Sequence, residues 1–285
     1  MKKELSLGSL DTYLPTDNVN SAIVNLVNLN PKFNHNNPRK VVIAKLGQTI
    51  PLPEKKENET NDSYFLRAVN EVVEYVEKYK DSILGLIVEP FTETIHGHLY
   101  ITESFAKSLK EVCSKNRIAF IVDETLSSLN SGFRYKLEDW KFNSEPDYIL
   151  LKRESNLNPG IITSKKNSEY ANQISELSIF TNKLKNSVDL LSYVRQENIL
   201  ESVIKKGDYL SSKLRDDEKY YNHKYSNVRG QGTYHSFDFA AVENRDNFHK
   251  FALNSGVNLH KSGEKSITVR SSLVLDSKMY DSLFI

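Results

Sequence analysis

Two short apolar runs, each closed by a single acid, constrain this chain more than any other feature. Ile83-Leu84-Gly85-Leu86-Ile87-Val88 ends at Glu89, and Ile118-Ala119-Phe120-Ile121-Val122 ends at Asp123. Short continuous runs suit strands buried on both faces; a half-exposed strand would alternate. Between them Phe105, Leu109 and Val112 recur at helical spacing, and a third apolar run follows at Tyr148-Ile149-Leu150-Leu151. Strand–helix–strand units of about thirty residues imply a parallel sheet covered by helices. Ligands of such open sheets sit outside the carboxyl ends of the strands. Glu89 and Asp123 therefore stand where site residues stand. A strand-end acid also serves as a helix cap or a solvated loop residue, and the two residues alone leave both readings open.

The rest of the chain extends the pattern. Leu66, Val69, Val73 and Val76 mark an amphipathic helix over 63–80. Residues 1–62 are the least readable, with one strand expected at Val41-Val42-Ile43-Ala44 and a loop from Pro51 to residue 62. Leu190, Leu191, Val194, Leu200, Val203, Ile204 and Leu210 predict one long helix over 187–215. Beyond it come a glycine turn (Arg229-Gly230-Gln231-Gly232), a strand from Thr233, a helix near 245–255 and two short strands joined by Ser262-Gly263-Glu264. The expectation is an α/β large domain over residues 1–185, then a linking helix and a small α+β domain over 186–285.

Composition narrows the function classes. Lys and Arg number 38 against 37 for Asp and Glu. That balance gives no electrostatic reason to expect nucleic acid or an anionic membrane as partner. The single cysteine, Cys113, excludes an internal disulfide and a cysteine-rich zinc site, and fits a reducing compartment. No run reaches the ~18 apolar residues of a membrane span, and Met1-Lys2-Lys3-Glu4-Leu5 opens no secretory signal. A cytoplasmic location is expected, with the mitochondrion not excluded. His96-Gly97-His98 offers two imidazoles, but no third ligand is spaced in sequence to join them, so no metal is expected. His235 and His260 read as packing or loop residues.

In order and spacing the chain from about residue 50 onward resembles the class III, pyridoxal-phosphate-dependent aminotransferases. The residues that carry the resemblance are Gly85–Pro90, Ala119–Glu124, Ser131-Gly132 with Tyr135, Glu138 and Trp140, Pro146–Ile149, Val228–Tyr234 and Lys265–Arg270. The last two motifs look more like 4-aminobutyrate aminotransferase than like other members. The resemblance implies part of the large domain of fold type I with a small C-terminal domain. It also implies a dimer, either of this chain or with a full-length paralogue, amino-acid and 2-oxo-acid substrates, and pyridoxal phosphate as cofactor. On it, Asp123 faces the pyridine nitrogen and keeps it protonated, so that the ring serves as an electron sink. Glu89 shapes the substrate site, and Arg270 binds the substrate carboxylate through its guanidinium fork.

The pattern also breaks. Counting from Asp147 puts Arg153, which cannot form an aldimine, at the position of the family's lysine. Lys152 is the neighbouring amine that a one-residue slip would bring into play. Leu126 replaces a glutamine that faces the cofactor. The Asn-Thr pair whose threonine reaches the phosphate appears reversed as Thr181-Asn182. The family's Gly-Ser phosphate cup precedes the matched region, and residues 1–62 offer no replacement. The expectation is a 4-aminobutyrate aminotransferase-like chain with impaired activity. The alternative is a non-catalytic remnant acting as a binding or interaction subunit, or a fragment.

Overall fold

The computed structural model describes residues 12–33, 42–56, 59–140, 146–152, 157–174, 181–220, 225–274 and 280–281. The chain is mixed α/β. Its first sheet has six strands in the order β1-β8-β7-β6-β3-β2. These are β1 (Thr12–Pro15), β2 (Val42–Lys45), β3 (Ile83–Val88), β6 (Ala119–Asp123), β7 (Tyr148–Leu151) and β8 (Gly160–Thr163). β2, β3, β6 and β7 run parallel, whereas β8 is antiparallel to both β7 and β1.

Apolar burial on both faces explains the continuous runs. Helices α2 (Asn61–Tyr79) and α3 (Glu103–Lys115) cover one face. There Phe65, Val72, Val76, Phe105 and Leu109 join Phe120, Val122, Ile149 and Leu151 in one core. On the other face, Val19, Ile23, Leu26 and Val27 of α1 (Val19–Leu29) meet Ala119, Ile121, Tyr148 and Leu150. The alternation along β6, with Phe120 and Val122 on one face and Ala119 and Ile121 on the other, is the period of a strand.

Several details differ from the sequence expectation. The buried stripe of α2 is Phe65, Ala68, Val72 and Val76, and Leu66 is 77% exposed. The apolar residues chosen from sequence straddle two adjacent faces. The first 62 residues supply an edge strand and a helix, β1 and α1, that their polar composition conceals. After β3 the chain makes a hairpin of β4 (Phe91–Thr94) and β5 (Gly97–Tyr100) before α3. The one long helix is two, α5 (Thr181–Gln196) and α6 (Ile199–Tyr220), parted at Asn198 with φ +50°. A positive φ at a non-glycine residue ends a helix. α4 (Lys136–Asp139) is a single turn before β7.

The C-terminal part is a four-stranded antiparallel sheet, β11-β12-β10-β9, with helix α7 (Val242–Asn254). Its strands are β9 (Ser226–Gln231), β10 (Tyr234–Asp238), β11 (His260–Ser262) and β12 (Ser266–Arg270). Arg229 and Gly230 lie inside β9, so the turn is Gly232-Thr233 rather than the whole glycine motif. Arg229 is buried and joins this sheet to the hairpin. Its Nε donates to the His98 carbonyl at 2.6 Å, Nη2 to the His96 carbonyl at 3.4 Å, and Nη1 pairs with Asp238 at 2.8 Å. Burial works to raise the Asp238 carboxyl. The charges of Arg229 and Lys55 and the bonds from Ser266 and Asn227 outweigh it and hold the group below the usual carboxylate range. No helix among the described residues is long and apolar enough to cross a membrane.

The turn at Gly232 (φ +59°) passes under α6, where Gly207 lets it approach. A side-chain carbon at Gly207 would stand 2.6 Å from the Gly232 carbonyl oxygen. Two effects therefore compete in Gly207→Ala. The helix gains about 1 kcal/mol from alanine, while forcing a carbon into packed backbone costs about 1–3 kcal/mol or more. Because backbone atoms cannot rotate away, the clash wins. Gly207→Ala should lower the urea-unfolding free energy, and a neutral or stabilising result would show that α6 does not seat on this turn.

Candidate active site

Parallel pairing brings four strand ends to one edge. Val88 pairs with Val122 and Asp123 with Leu150, so Glu89, Asp123 and Lys152 emerge side by side, with Lys45 beyond β3 at the end of β2. The four side chains form two ion pairs. Lys45 Nζ lies 2.7 Å from Glu89 Oε1, and Lys152 Nζ lies 2.6 Å from Asp123 Oδ2. Asp123 is fully buried, and Lys152 is 24% exposed. Burial raises the Glu89 carboxyl above its usual range, and the neighbouring Asp123 charge pushes the same way. The Lys45 bond and charge, with the charge of Lys152, offset only part of this.

Asp123 is held from two sides. Its Oδ1 accepts the Thr125 amide at 3.1 Å and the Thr125 hydroxyl, closing a turn of the kind aspartate favours. Its Oδ2 is buried and accepts no aligned hydrogen bond, yet stands against the Lys152 ammonium. The adjacent Glu124 is wholly buried and structural. Oε1 accepts the Leu137 amide at 3.2 Å, and Oε2 accepts the Ser127 hydroxyl. Burial pushes its carboxyl up to about 7, although those bonds and the Lys136 charge oppose the shift.

Leu126 turns into an apolar cluster of Phe91, Tyr100 and Tyr234. This cluster links the strand ends to the C-terminal sheet. Arg270 is exposed, with its guanidinium 5.2 Å from the centre of the Tyr234 ring. No carboxylate among the described residues pairs with Arg270. Thr181 and Asn182 open α5, and their side chains, like Arg153, lie outside what the structure describes.

Sequence reasoning singled out Glu89, Asp123, Lys152 and Arg270, and the first three share one edge. It missed Lys45, although a lysine closing the apolar run Val41–Ala44 was the same strand-end signal. It also gave His260 no role and found no third ligand for His98. Folding sets Glu93 opposite His98 in the β4–β5 hairpin and brings His260 against both.

A pyridine ring nitrogen needs a carboxylate such as Asp123, and its buried, unbonded Oδ2 is the right chemistry. That oxygen carries the Lys152 ammonium instead. A phosphate needs free backbone amides at a helix N-terminus or a nest. α1, α2 and α3 are each closed by their own cap, with Asn18, Thr60 and Thr102 accepting from Ser21, Ser63 and Phe105. At these three helix starts one of the amides a phosphate would use is thus already taken, and the Asp123 carboxylate is already paired.

Two measurements test this electrostatic picture. Lys152→Ala strands a buried carboxylate oxygen and should cost about 1–3 kcal/mol of stability. The double change Asp123→Asn with Lys152→Ala should recover part of that loss, so additive costs would show that the pair does not interact. Glu124 sets a pH slope. The folded chain keeps its proton up to about 7, whereas an unfolded glutamate releases it near about 4.3. Between these values the folded state binds more protons, so stability falls as pH rises and then levels off. Glu124→Gln should remove that fall. Relative to the parent it should gain on the order of 1–3 kcal/mol between about pH 5 and about pH 8. A pH-independent difference in urea melts would contradict the burial argument.

Comparison with known proteins agrees with the architecture. The family model for class III aminotransferases matches residues 33–284. The chain is 26% identical over 212 residues to 4-aminobutyrate aminotransferase of Dictyostelium discoideum, covering 73% of this chain and 42% of that protein. It is 28% identical over 229 residues to the mitochondrial 4-aminobutyrate aminotransferase of Sus scrofa, covering 77% and 44%. The matched region thus spans less than half the length of these relatives. Among solved structures, it is similar to lysine aminotransferase from M. tuberculosis in the internal aldimine form. That match has a TM-score of 0.77 at 15% identity and covers 97% of this chain and 74% of that one. A transaminase from the marine bacterium Virgibacillus matches with a TM-score of 0.77 at 16% identity, over 100% and 75%. The fold is that of fold type I, pyridoxal-phosphate-dependent transaminases, in part. With the family model matched over most of its length, the chain belongs to the class III aminotransferases.

Proposed function

We propose that this chain is a 4-aminobutyrate aminotransferase-like protein that does not move amino groups by itself. The family reaction passes an amino group from 4-aminobutyrate to a 2-oxo acid through pyridoxal phosphate. One observation carries the reading: the Lys152 ammonium sits 2.6 Å from Asp123 Oδ2. An amine must be free and neutral to attack a carbonyl carbon. The nearest amine to the family's lysine position is instead engaged with the carboxylate that would tune the ring.

The surroundings support the same conclusion. Leu126 presents no polar group, since it packs on Phe91, Tyr100 and Tyr234. Glu89 is engaged by Lys45. Charge-assisted hydrogen bonds to a phosphate contribute about 1.5–3 kcal/mol each. Several missing together weaken binding by orders of magnitude, because every ~1.4 kcal/mol is tenfold. What persists is carboxylate recognition at Arg270, exposed and free of an acidic partner among the described residues. The reading is therefore a family member that retains a carboxylate-binding arginine without the chemistry.

Single-turnover amino transfer from 4-aminobutyrate, with cofactor in excess, tests it. The parent chain should show no transfer above its Lys152→Ala variant, and borohydride should fix no pyridoxyl group to Lys152. Transfer that disappears in the variant, with the adduct mapped to Lys152, would overturn the proposal.

A further inference from the structure

Glu93, His98 and His260 come from three strands and meet at one point, where their ligand atoms all lie within 4.8 Å of one another. Glu93 and His98 are direct cross-strand partners in the β4–β5 hairpin. His260 opens β11 of the C-terminal sheet, and its Nε2 lies 3.4 Å from Glu93 Oε1. The rings of His98 and His260 are 6.2 Å apart. We propose that Glu93, His98 and His260 form a divalent transition-metal site, with zinc the best-suited ion, that ties the hairpin to the C-terminal sheet.

The donor chemistry selects the ion. Two imidazoles and one carboxylate suit zinc, cobalt or nickel, whereas magnesium and calcium prefer oxygen alone. Three protein ligands with an open fourth position are a recurrent zinc arrangement. Zinc bonds of about 2.0–2.2 Å place tetrahedral ligands roughly 3.4 Å apart, the separation that Glu93 and His260 already show. Closing the remaining gap needs movement of about an ångström from flexible partners. The Glu93 and His260 side chains are 50% and 56% exposed and can supply it. His98 is the fixed member: it is buried, and Arg229 holds its carbonyl at 2.6 Å. Its Nδ1 is buried without a hydrogen-bond partner, an arrangement that normally calls for an explanation.

The positive charges nearby do not cancel this. The Arg229 guanidinium is matched by Asp238 at 2.8 Å, and Arg270 is directed over the Tyr234 ring. Glu93 brings a negative charge to the point itself. The site is independent of the Lys152–Asp123 pair and of whether the chain turns over substrate.

The test is zinc binding by the whole chain, read by titration calorimetry and by the thermal midpoint with and without chelator. The parent should bind zinc saturably, one ion per chain, with a midpoint that rises with zinc concentration. His260→Ala and Glu93→Gln change exposed side chains and should keep the fold, checked by circular dichroism. Each should weaken binding at least about tenfold, the loss that follows even from removing an outer partner of a ligand. His96→Ala should bind as the parent does. Cobalt should give the visible absorption of a four-coordinate site in the parent and lose it in His260→Ala. A parent that binds no zinc, variants that bind it unchanged, or a loss confined to His96→Ala would each overturn the assignment.

Discussion

Parallel pairing of β2, β3, β6 and β7 is the constraint on which the rest depends. Each of these strands feeds apolar side chains into cores on both faces. Full burial of each large aliphatic or aromatic side chain contributes about 1.5–3 kcal/mol. A one-residue slip would send every side chain to the other face, so the cores fix the register, and the register fixes which residues emerge at the carboxyl edge. Glu89 and Asp123 are there because Val88 and Val122 pair, not because they attract anything. Once placed, two carboxylates in a buried crevice must be answered. Stranding a buried carboxylate oxygen costs about 1–3 kcal/mol, and Lys45 and Lys152 supply the counter-charges.

Other motif residues do comparable architectural work. Asp147 accepts the Phe120 amide at 2.9 Å and the Lys110 ammonium at 3.1 Å, and also meets Lys32. It thereby ties β7 to β6 and to α3. Arg229 draws together the hairpin carbonyls and Asp238. Both belong to stretches through which the chain resembles its family. Part of the resemblance therefore rests on residues that hold the fold together. Leu126 is likewise architectural, since its apolar side chain closes a cluster with Phe91 and Tyr234.

How much of this was legible in the sequence depended on range. The buried strands, their terminal acids and the helices between them declare themselves through local periodicity. The hairpin β4–β5 did not, because Thr92, Glu93, Thr94 and His96 give no apolar alternation; its pairing rests on turn geometry at Gly97 (φ +84°) and on Arg229. α1 was hidden by the asparagines between its buried Val19, Ile23, Leu26 and Val27. The break between α5 and α6 needs only one left-handed residue, Asn198. The pairing of Lys152 with Asp123 spans strands and no spacing rule gives it. Nor does any local signal bring His260 to Glu93, since the two are 167 residues apart in sequence.

Charge balance decides what such a crevice accepts. Lys45 with Glu89 and Lys152 with Asp123 sum to zero, so the paired strand ends present no surplus positive charge to a doubly charged phosphate. Arg270, with no acidic partner among the described residues, stands over the Tyr234 ring, which in turn packs near Phe91. An exposed guanidinium can give two parallel hydrogen bonds to a carboxylate. A carboxylate gains from a single well-oriented guanidinium, whereas a phosphate dianion leaving water needs several donors at once. The same pairings that keep the sheet edge neutral are what the proposed loss of amino transfer rests on.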